Sequence, residues 1–390
     1  MDIRRPMSLL GGLSASEFMR RHWQKKPLLV RGALPGVLPA IDAKRLFALA
    51  AQEGVESRLV VNVDDRWTSR PGPLPRRSLP ALAQPGWTLL VQGVDLHDEA
   101  AHRLLGRFRF VPDARLDDAM ISFASDGGGV GPHIDSYDVF LLQTAGRRRW
   151  RIGKVERPRL REGVPLKMLE SFAPTQEWLL EPGDMLYLPP GWGHDGVAVG
   201  ACITCSIGFR APDRASLAAA ALQRIADSLG DAADDSKSAS AARRSLYADA
   251  TQDATRHPAR IPASLARFAD TAIERALADP NVRRLALGEI LSEPKNDVWF
   301  ERTENAERIA GVVLDRRTRM LYDHGHVYIN GEAFRSGGSD AKLMRRLADR
   351  RALDAGRVCR FSAEARTLLA RWVEAGWCAS DDAYRSKENP

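Results

Sequence analysis

His133 and Asp135 stand at the end of a glycine-rich run, Gly127-Gly128-Gly129-Val130-Gly131-Pro132. In an extended strand, positions i and i+2 point to the same face. An imidazole nitrogen and a carboxylate oxygen can therefore aim at one point. Two ligands do not make a metal site, and a lone His-x-Asp pair is common and weak. The third ligand should come from another strand facing the same interior point. His194, in Pro189-Pro190-Gly191-Trp192-Gly193-His194, is the best candidate, since it follows the Pro-Gly-Asp turn and an apolar strand over Met185 to Pro189, close to where a strand of the opposite sheet could face His133. Two histidines and one carboxylate on one face of a metal leave adjacent coordination positions open, the arrangement of non-haem iron(II) oxygenases. A closed structural zinc site would take four protein ligands instead. Asp138 and Asp195 read as supporting or surface groups, not ligands.

Open positions could hold a bidentate co-substrate and dioxygen. If the co-substrate is a 2-oxo acid, its far carboxylate needs a buried cation or hydroxyl. Gly146 reads as a turn, and Arg147 to Ile152 as the strand returning from it. Alternation puts Arg148 on the opposite face to Arg147 and Arg149, and a guanidinium offers the fork that a carboxylate prefers. Ser122, on the strand before the glycine run, could add a hydroxyl. Cys202 and Cys205 have CxxC spacing, but an i,i+3 pair in a strand faces opposite ways, so they read as packed thiols.

These residues need elements to hold them. A capped helix is expected over Ser14 to Trp23, with Ser14 or Ser16 as N-cap, then a break at Pro27 and a short apolar strand. Asp42 to Gly54 reads as a helix, Arg58 to Val63 and Thr88 to Val94 as strands, and a further helix passes through His97 and Leu105. From Asp117 to Phe209 short strands alternate with Gly/Pro turns: Ala119 to Phe123, Tyr137 to Thr144, Arg147 to Ile152, Trp178 to Leu180, Met185 to Pro189 and Ala201 to Phe209. That pattern indicates a sandwich or barrel. After Pro212 the chain turns alanine- and leucine-rich. Helices are expected over Arg214 to Gly230, Pro262 to Ala278 and Asn281 to Leu291, with a polar linker over Asp231 to Ala242. Beyond Phe300, strands over Met320 to Asp323, Val327 to Ile329 and Glu332 to Phe334 include an Asn330-Gly331 hairpin signal. Helices over Asp340 to Arg351 and Ser362 to Ala375 complete a module of winged-helix type.

At 390 residues the chain suits two or three domains. Its 44% hydrophobic and 27% charged content is that of an ordinary globular protein. Four cysteines make no disulfide framework, which fits a reducing cytoplasm. Apolar runs are too short for a membrane span, and the start, broken at Gly11-Gly12, makes a poor signal peptide. A net charge of +7 favours an acidic partner such as RNA or a ribonucleoprotein surface, though solvated arginine faces account for it equally well.

Five segments carry a family resemblance. They are Glu17-Phe-Met-Arg-Arg-His-Trp-Gln-Lys-Lys-Pro-Leu-Leu-Val30, the stretch from Ile121 through His133-Ile-Asp135 to Phe140, Gly146-Arg-Arg-Arg-Trp-Arg151, Glu181-Pro-Gly-Asp184 and Pro189-Pro-Gly-Trp-Gly-His194. Gly288-Glu-Ile-Leu-Ser-Glu-Pro-Lys295 adds a later match. The chain resembles the JmjC-type ribosomal oxygenases, above all the bacterial branch that hydroxylates an arginine of a large-subunit ribosomal protein. The resemblance implies a mixed α+β fold: a double-stranded β-helix (cupin/JmjC) catalytic domain over 1–212, a helical dimerisation region over 213–299 and a winged-helix-like domain over 300–390. It implies Fe(II) on His133, Asp135 and His194, 2-oxoglutarate on Ser122 and Arg148, and dioxygen as co-substrate. It further implies a cytoplasmic homodimer acting on a large-subunit ribosomal protein, and leaves open whether the winged-helix-like domain touches nucleic acid.

A cationic arginine substrate should find acidic and aromatic groups at the mouth, and Asp126 and Tyr137 are the candidates by position. The glycines, lacking Cβ, read as part of a substrate entrance and as a hinge. Two other readings stay open. One is a histidine hydroxylase or demethylase on another protein, because pocket residues select the side chain. The other is a catalytically idle barrel serving as a ribosome- or RNA-binding module.

Overall fold

The computed structural model describes residues 2–34, 41–234, 246–303 and 309–380. The chain divides into two compact units, residues 1–211 with 296–299, and residues 212–295 with 300–390. Among the described residues no helix is long and apolar enough to cross a membrane.

The first unit begins with α1 (Ala15–Arg21), β1 (Leu28–Val30), α2 (Ala43–Ala50), β2 (Ser57–Val63), β3 (Arg66–Pro71), β4 (Trp87–Val91) and α3 (Glu99–Gly106). It continues with β5 (Leu116–Ala124), β6 (His133–Ile134), β7 (Val139–Lys154), β8 (Gln176–Leu180), β9 (Met185–Leu188) and β10 (Trp192–Phe209). Ser14 caps α1 through a reciprocal pair: its Oγ accepts from Glu17 N at 3.2 Å, and the Glu17 carboxylate accepts from Ser14 N at 2.9 Å. Such a box contributes about 1 kcal/mol to holding a helix of this length.

All these strands join one antiparallel sheet in the order β1-β9-β7-β10-β5-β4-β2-β3, with β6 on β10 and β8 on β7. Two long strands let that sheet fold over itself as the double-stranded β-helix of the JmjC/cupin type. The first half of β7, residues 139–142, pairs with β9, and its second half, 148–152, pairs with β8. Likewise β10 pairs with β6 at its start and with β5 from Cys202 onward. The corner falls where the β7–β10 register shifts, between Val199 and Thr204. Gly146 (φ +63°) and Gly200 (φ +73°) sit there, and a Cβ on Gly146 would lie 2.1 Å from the Ala201 carbonyl oxygen. Only glycine fits that crossing.

This corrects two sequence expectations. Gly146 is not a turn between two strands but a bend inside one continuous β7. The last strand, expected from Ala201, begins instead at Trp192, so β10 carries His194. Glycine at a bulge and glycine in a turn look alike in sequence.

The core of the first unit packs α1, α2 and α3 against the inner sheet face, and is rich in rings. Phe18, Phe140 and Tyr187 meet mutually at centroid distances of 4.9–5.4 Å, with Phe108, Trp23 and Phe209 around them. Each fully buried ring contributes on the order of 2–3 kcal/mol of burial free energy.

The second unit holds α4 (Arg214–Asp234), α5 (Ala263–Ala278), α6 (Pro280–Ser292), β11 (Val312–Leu314), β12 (Met320–Tyr322), β13 (His326–Ile329) and β14 (Glu332–Arg335). It ends with α7 (Gly338–Arg350), β15 (Ala352–Leu353), α8 (Ala355–Val358), α9 (Ala363–Glu374) and β16 (Cys378–Ser380). The Asn330-Gly331 hairpin forms as expected, with φ of 49° and 89°. Its tip is not free: Gly331 N donates to Ser292 Oγ of α6 at 3.2 Å, and Gly288 of α6 lies against the Tyr328 ring. The two-residue strand β15 and the three-residue strands β11 and β16 escaped the sequence reading, being too short to show alternation. Of the expected linker, residues 231–234 are helical, as the last turn of α4, and residues 235–242 lie outside the described residues.

Candidate metal and co-substrate site

His133 on β6 and His194 on β10 are direct partners in antiparallel register. Their rings lie 4.1 Å apart between centroids. His194 Nε2 is 3.5 Å from Asp135 Oδ2, and one ligand atom from each of His133, Asp135 and His194 lies within 4.8 Å of the others. Each imidazole is oriented by a backbone carbonyl. His133 Nδ1 is 2.9 Å from Gly131 O, and His194 Nδ1 is 3.1 Å from Trp192 O. With Nδ1–H donating, Nε2 keeps its lone pair on both rings, the arrangement a metal ligand needs. Burial, then the neighbouring His133, pushes the His194 pKa well down, so the ring is neutral and able to coordinate. Burial raises the Asp135 carboxyl, against the pull of His133 and a hydrogen bond from Tyr137. A desolvated carboxylate beside two imidazoles suits a divalent cation, and the donor set fits iron(II).

Next to this triad, Arg148 on β7 is 4% exposed. Its guanidinium donates to Ser122 Oγ at 3.2 Å, Thr204 Oγ1 at 3.3 Å and Gly196 O at 3.2 Å. Its Nε has no hydrogen-bond partner, and among the described residues no carboxylate pairs with it. A buried guanidinium hydrogen-bonded only to neutral groups costs several kcal/mol unless an anion joins it. The cradle therefore fits the far carboxylate of a 2-oxo acid. Trp150 lies beneath the guanidinium at 5.1 Å and touches the His194 ring at 5.9 Å, so one indole packs against both halves of the site.

His133, Asp135, His194, Ser122, Arg148 and Tyr137 line one cavity of about 560 Å³. The structure does not bring Asp126 to it. Asp126 Oδ1 accepts from Gly200 N at 2.7 Å, and its carbonyl accepts from Gly86 N, so it ties two turns together. The acidic residues at the cavity are instead Asp117 and Asp118 of β5. Asp118 Oδ2 accepts from Gly93 N at 2.9 Å, and Asp117 lies 3.4 Å from Arg210. Sequence reading missed these two and Thr204. The available signal was polar residues recurring at even spacing, on one face of largely apolar strands: Asp118 and Ser122 on β5, Thr204 and Ser206 on β10.

The glycines also change meaning. A Cβ on Gly128 would lie 2.4 Å from Trp87 O, and one on Gly129 2.6 Å from Gly196 O. Their smallness serves the packing of backbone on backbone within the fold. A second groove of about 990 Å³ opens on the far side of this run, lined by Gly127, Gly129 and Gly131, but it holds none of the three ligands. Cys202 and Cys205 are both buried free thiols packed in different clusters.

A family model described as a JmjC domain matches residues 103–217, and one described as a ROXA-like winged helix matches residues 275–379. The chain is 41% identical over 208 residues to the ribosomal protein uL16 3-hydroxylase of Escherichia coli (strain K12), covering 53% of this chain and 55% of that protein. It is 37% identical over 205 residues to a probable ribosomal oxygenase of Haemophilus influenzae, covering 51% and 50%. The chain thus spans about half the length of the curated relatives it matches. Among solved structures, an X-ray structure of E. coli YcfD superposes with a TM-score of 0.78 at 31% identity, covering 94% of this chain and 98% of that one. A structure of the same E. coli ribosomal oxygenase in complex with cobalt and 2-oxoglutarate gives a TM-score of 0.74 at 30% identity, covering 94% and 98%.

Proposed function

The chain belongs to the ribosomal oxygenases that join a JmjC domain to a ROXA-like winged helix, and from that premise we propose that it is a 2-oxoglutarate- and Fe(II)-dependent protein hydroxylase acting on an arginine side chain of a large-subunit ribosomal protein. The observation that carries this reading is the pairing, in one cavity, of a His-Asp-His triad with a buried arginine that, among the described residues, forms no ion pair with a carboxylate. His133, Asp135 and His194 would hold the metal, while Arg148 and Ser122, joined by Thr204, would hold the far carboxylate of 2-oxoglutarate. Bound together, these groups supply the oxidative chemistry that places one oxygen atom of dioxygen on an unactivated carbon.

The chain's own residues do the rest. Apolar Leu141, Val139 and Trp150 in the cavity wall exclude water from the co-substrate. Tyr137 keeps its hydroxyl proton, since burial and the nearby Asp135, Asp118 and Asp117 carboxylates push its pKa above the ordinary phenol value. It can thus donate to Asp135 while its ring flanks the substrate. Asp118 and Asp117 give the mouth a negative end suited to a guanidinium. This acidic pair takes the place of Asp126 in the substrate reading.

We read residues 1–212 as the catalytic region, 213–299 as a helical region through which two copies associate, and 300–390 as a winged-helix-like domain, in a protein acting where ribosomes are, in the cytoplasm. The matched uL16 3-hydroxylase of E. coli makes the equivalent ribosomal protein the first substrate to try. The purified protein, Fe(II) and 2-oxoglutarate would be incubated with peptides covering arginines of that protein. Expected are succinate formation and a peptide heavier by one oxygen atom on arginine, both lost in His133→Ala. Succinate without arginine oxidation would move the substrate to histidine or another side chain. No turnover in the presence of bound metal would favour an idle binding module.

A further inference from the structure

The turn His22-Trp23-Gln24-Lys25-Lys26-Pro27 leads from α1 to β1 and touches neither the metal ligands nor Arg148, yet it is built with care. Lys25 Nζ donates to Met19 O at 3.1 Å and Arg20 O at 2.9 Å, closing the end of α1. Trp23 stacks on Tyr187 at 5.9 Å, with planes 17° apart, and the Arg115 guanidinium lies over its other side at 5.9 Å. Gln24 is exposed and has a φ of +55°, a left-handed conformation that a glycine would take without strain. What glutamine adds is a side-chain amide. Its Nε2 donates to Asp138 Oδ2 at 3.0 Å, while its backbone N donates to Tyr187 Oη at 2.8 Å. The Tyr187 hydroxyl in turn donates to Asp138 Oδ1 at 2.6 Å.

Asp138 is fully buried, at 0% exposure. Its carboxylate takes hydrogen bonds from Gln24 and Tyr187, with Arg115 at 3.6 Å, and its backbone oxygen accepts from Phe209 N at 3.2 Å. The residue before it is Tyr137, which lines the cavity together with the ligand Asp135. The short segment Asp135–Asp138 thus carries one cavity-facing end and one anchored end, and the anchor is the network that Gln24 completes.

We propose that Gln24 is a positioning residue: with Tyr187 it fixes the Asp138 carboxylate, and through that anchor it fixes the pose in which Asp135 faces the metal and Tyr137 faces the substrate. The proposal rests on the reading of the cavity as a metal-dependent oxygenase site. Ser122, Arg148 and Thr204 stand on β5, β7 and β10 and do not depend on this anchor, so the co-substrate cradle should be untouched.

The test uses the full-length protein stripped of metal and titrated with Co(II) alone, followed by absorption, beside thermal unfolding of the metal-free form. Gln24→Gly removes the amide and relieves the left-handed strain; Gln24→Met keeps the side chain's length without a donor. Both should weaken Co(II) binding about tenfold, because Asp135 is no longer held in its ligand pose before the metal arrives. KM for the peptide should rise with it. Gln24→Gly loses the hydrogen bond to Asp138 but also sheds the left-handed strain, so its unfolding temperature should stay close to that of the wild type. Wild-type affinity in both variants would overturn the proposal, as would weakened binding in Gln24→Gly that comes only with a lower unfolding temperature. Failure of the wild type itself to bind Co(II) would overturn the oxygenase reading, and the proposal with it.

Discussion

At the scale of single residues, the site separates into a metal half and an anion half that substitution can address one at a time. Arg148→Lys keeps the charge but loses the fork that reaches Ser122 Oγ, Thr204 Oγ1 and Gly196 O together. We expect KM for 2-oxoglutarate to rise about tenfold or more, with Co(II) affinity measured alone unchanged. Asp126→Asn should leave peptide KM where it is, because that carboxylate serves Gly200 N and not the cavity; a clear rise would return Asp126 to the substrate site. Period-two reasoning made His133, Asp135 and the inward face of Arg148 legible, since strand geometry converts spacing directly into direction. Asp126 was misplaced because nearness along the chain says nothing across a glycine run that reverses direction at Gly127 (φ +68°) and Gly131 (φ +75°). Asp138 read as a supporting or surface group, and no local pattern reveals that Gln24, far away in sequence, is its partner.

At the scale of elements, β7 and β10 do most of the positioning. One carries Arg148 and Trp150, the other His194, Gly196 and Thr204, and their shared corner sets the distance between the two halves of the site. Gly146→Val tests that corner. The added side chain meets the Ala201 carbonyl and forces a β-branched residue into φ +63°, so we expect roughly 3 kcal/mol of destabilisation, read as a Tm lower by several degrees. Gly128→Val should behave alike, through Trp87 O, so lost turnover in that variant would report a damaged fold and not a blocked entrance. The sequence reading split β7 at Gly146 and began β10 nine residues too late, at Ala201 instead of Trp192, for the same reason. A sheet that bends over itself interrupts its own alternation with glycines at bulges, and single-sequence logic takes these for chain reversals. Helices with caps and stripes fared better: Ser14, Asp42 and Ser362 each cap the helix that was expected to follow them or begin near them.

At the scale of the whole molecule, two couplings can be measured. Metal binding should stabilise the fold, because it joins β6 and β10 through groups that are poorly solvated without a cation. At a hundredfold excess of Co(II) over its Kd the gain is about 2.7 kcal/mol, and a chelator should remove it with a Tm drop of a few degrees that His133→Ala no longer shows. The second coupling is association. None of the residues of α5 is buried, although Leu265, Phe268, Ala272 and Ile273 recur at helical spacing along it. Ile273 is 59% exposed, and Leu222 and Leu229 of α4 are each 52% exposed. A stable dimer buries on the order of 1,600 Å² in total, more than the stripe of one helix supplies, so α4 and α5 would both have to take part. A second copy of the chain offers the same apolar stripes in return, which is what a two-fold interface requires. Light scattering after gel filtration should then give twice the 43.1 kDa chain mass for the wild type. Ile273→Asp combined with Leu222→Asp should give a folded monomer whose metal-free Tm, unlike that of the wild type, does not depend on protein concentration. A wild type that runs as a monomer at micromolar concentration would leave those stripes without the partner proposed for them.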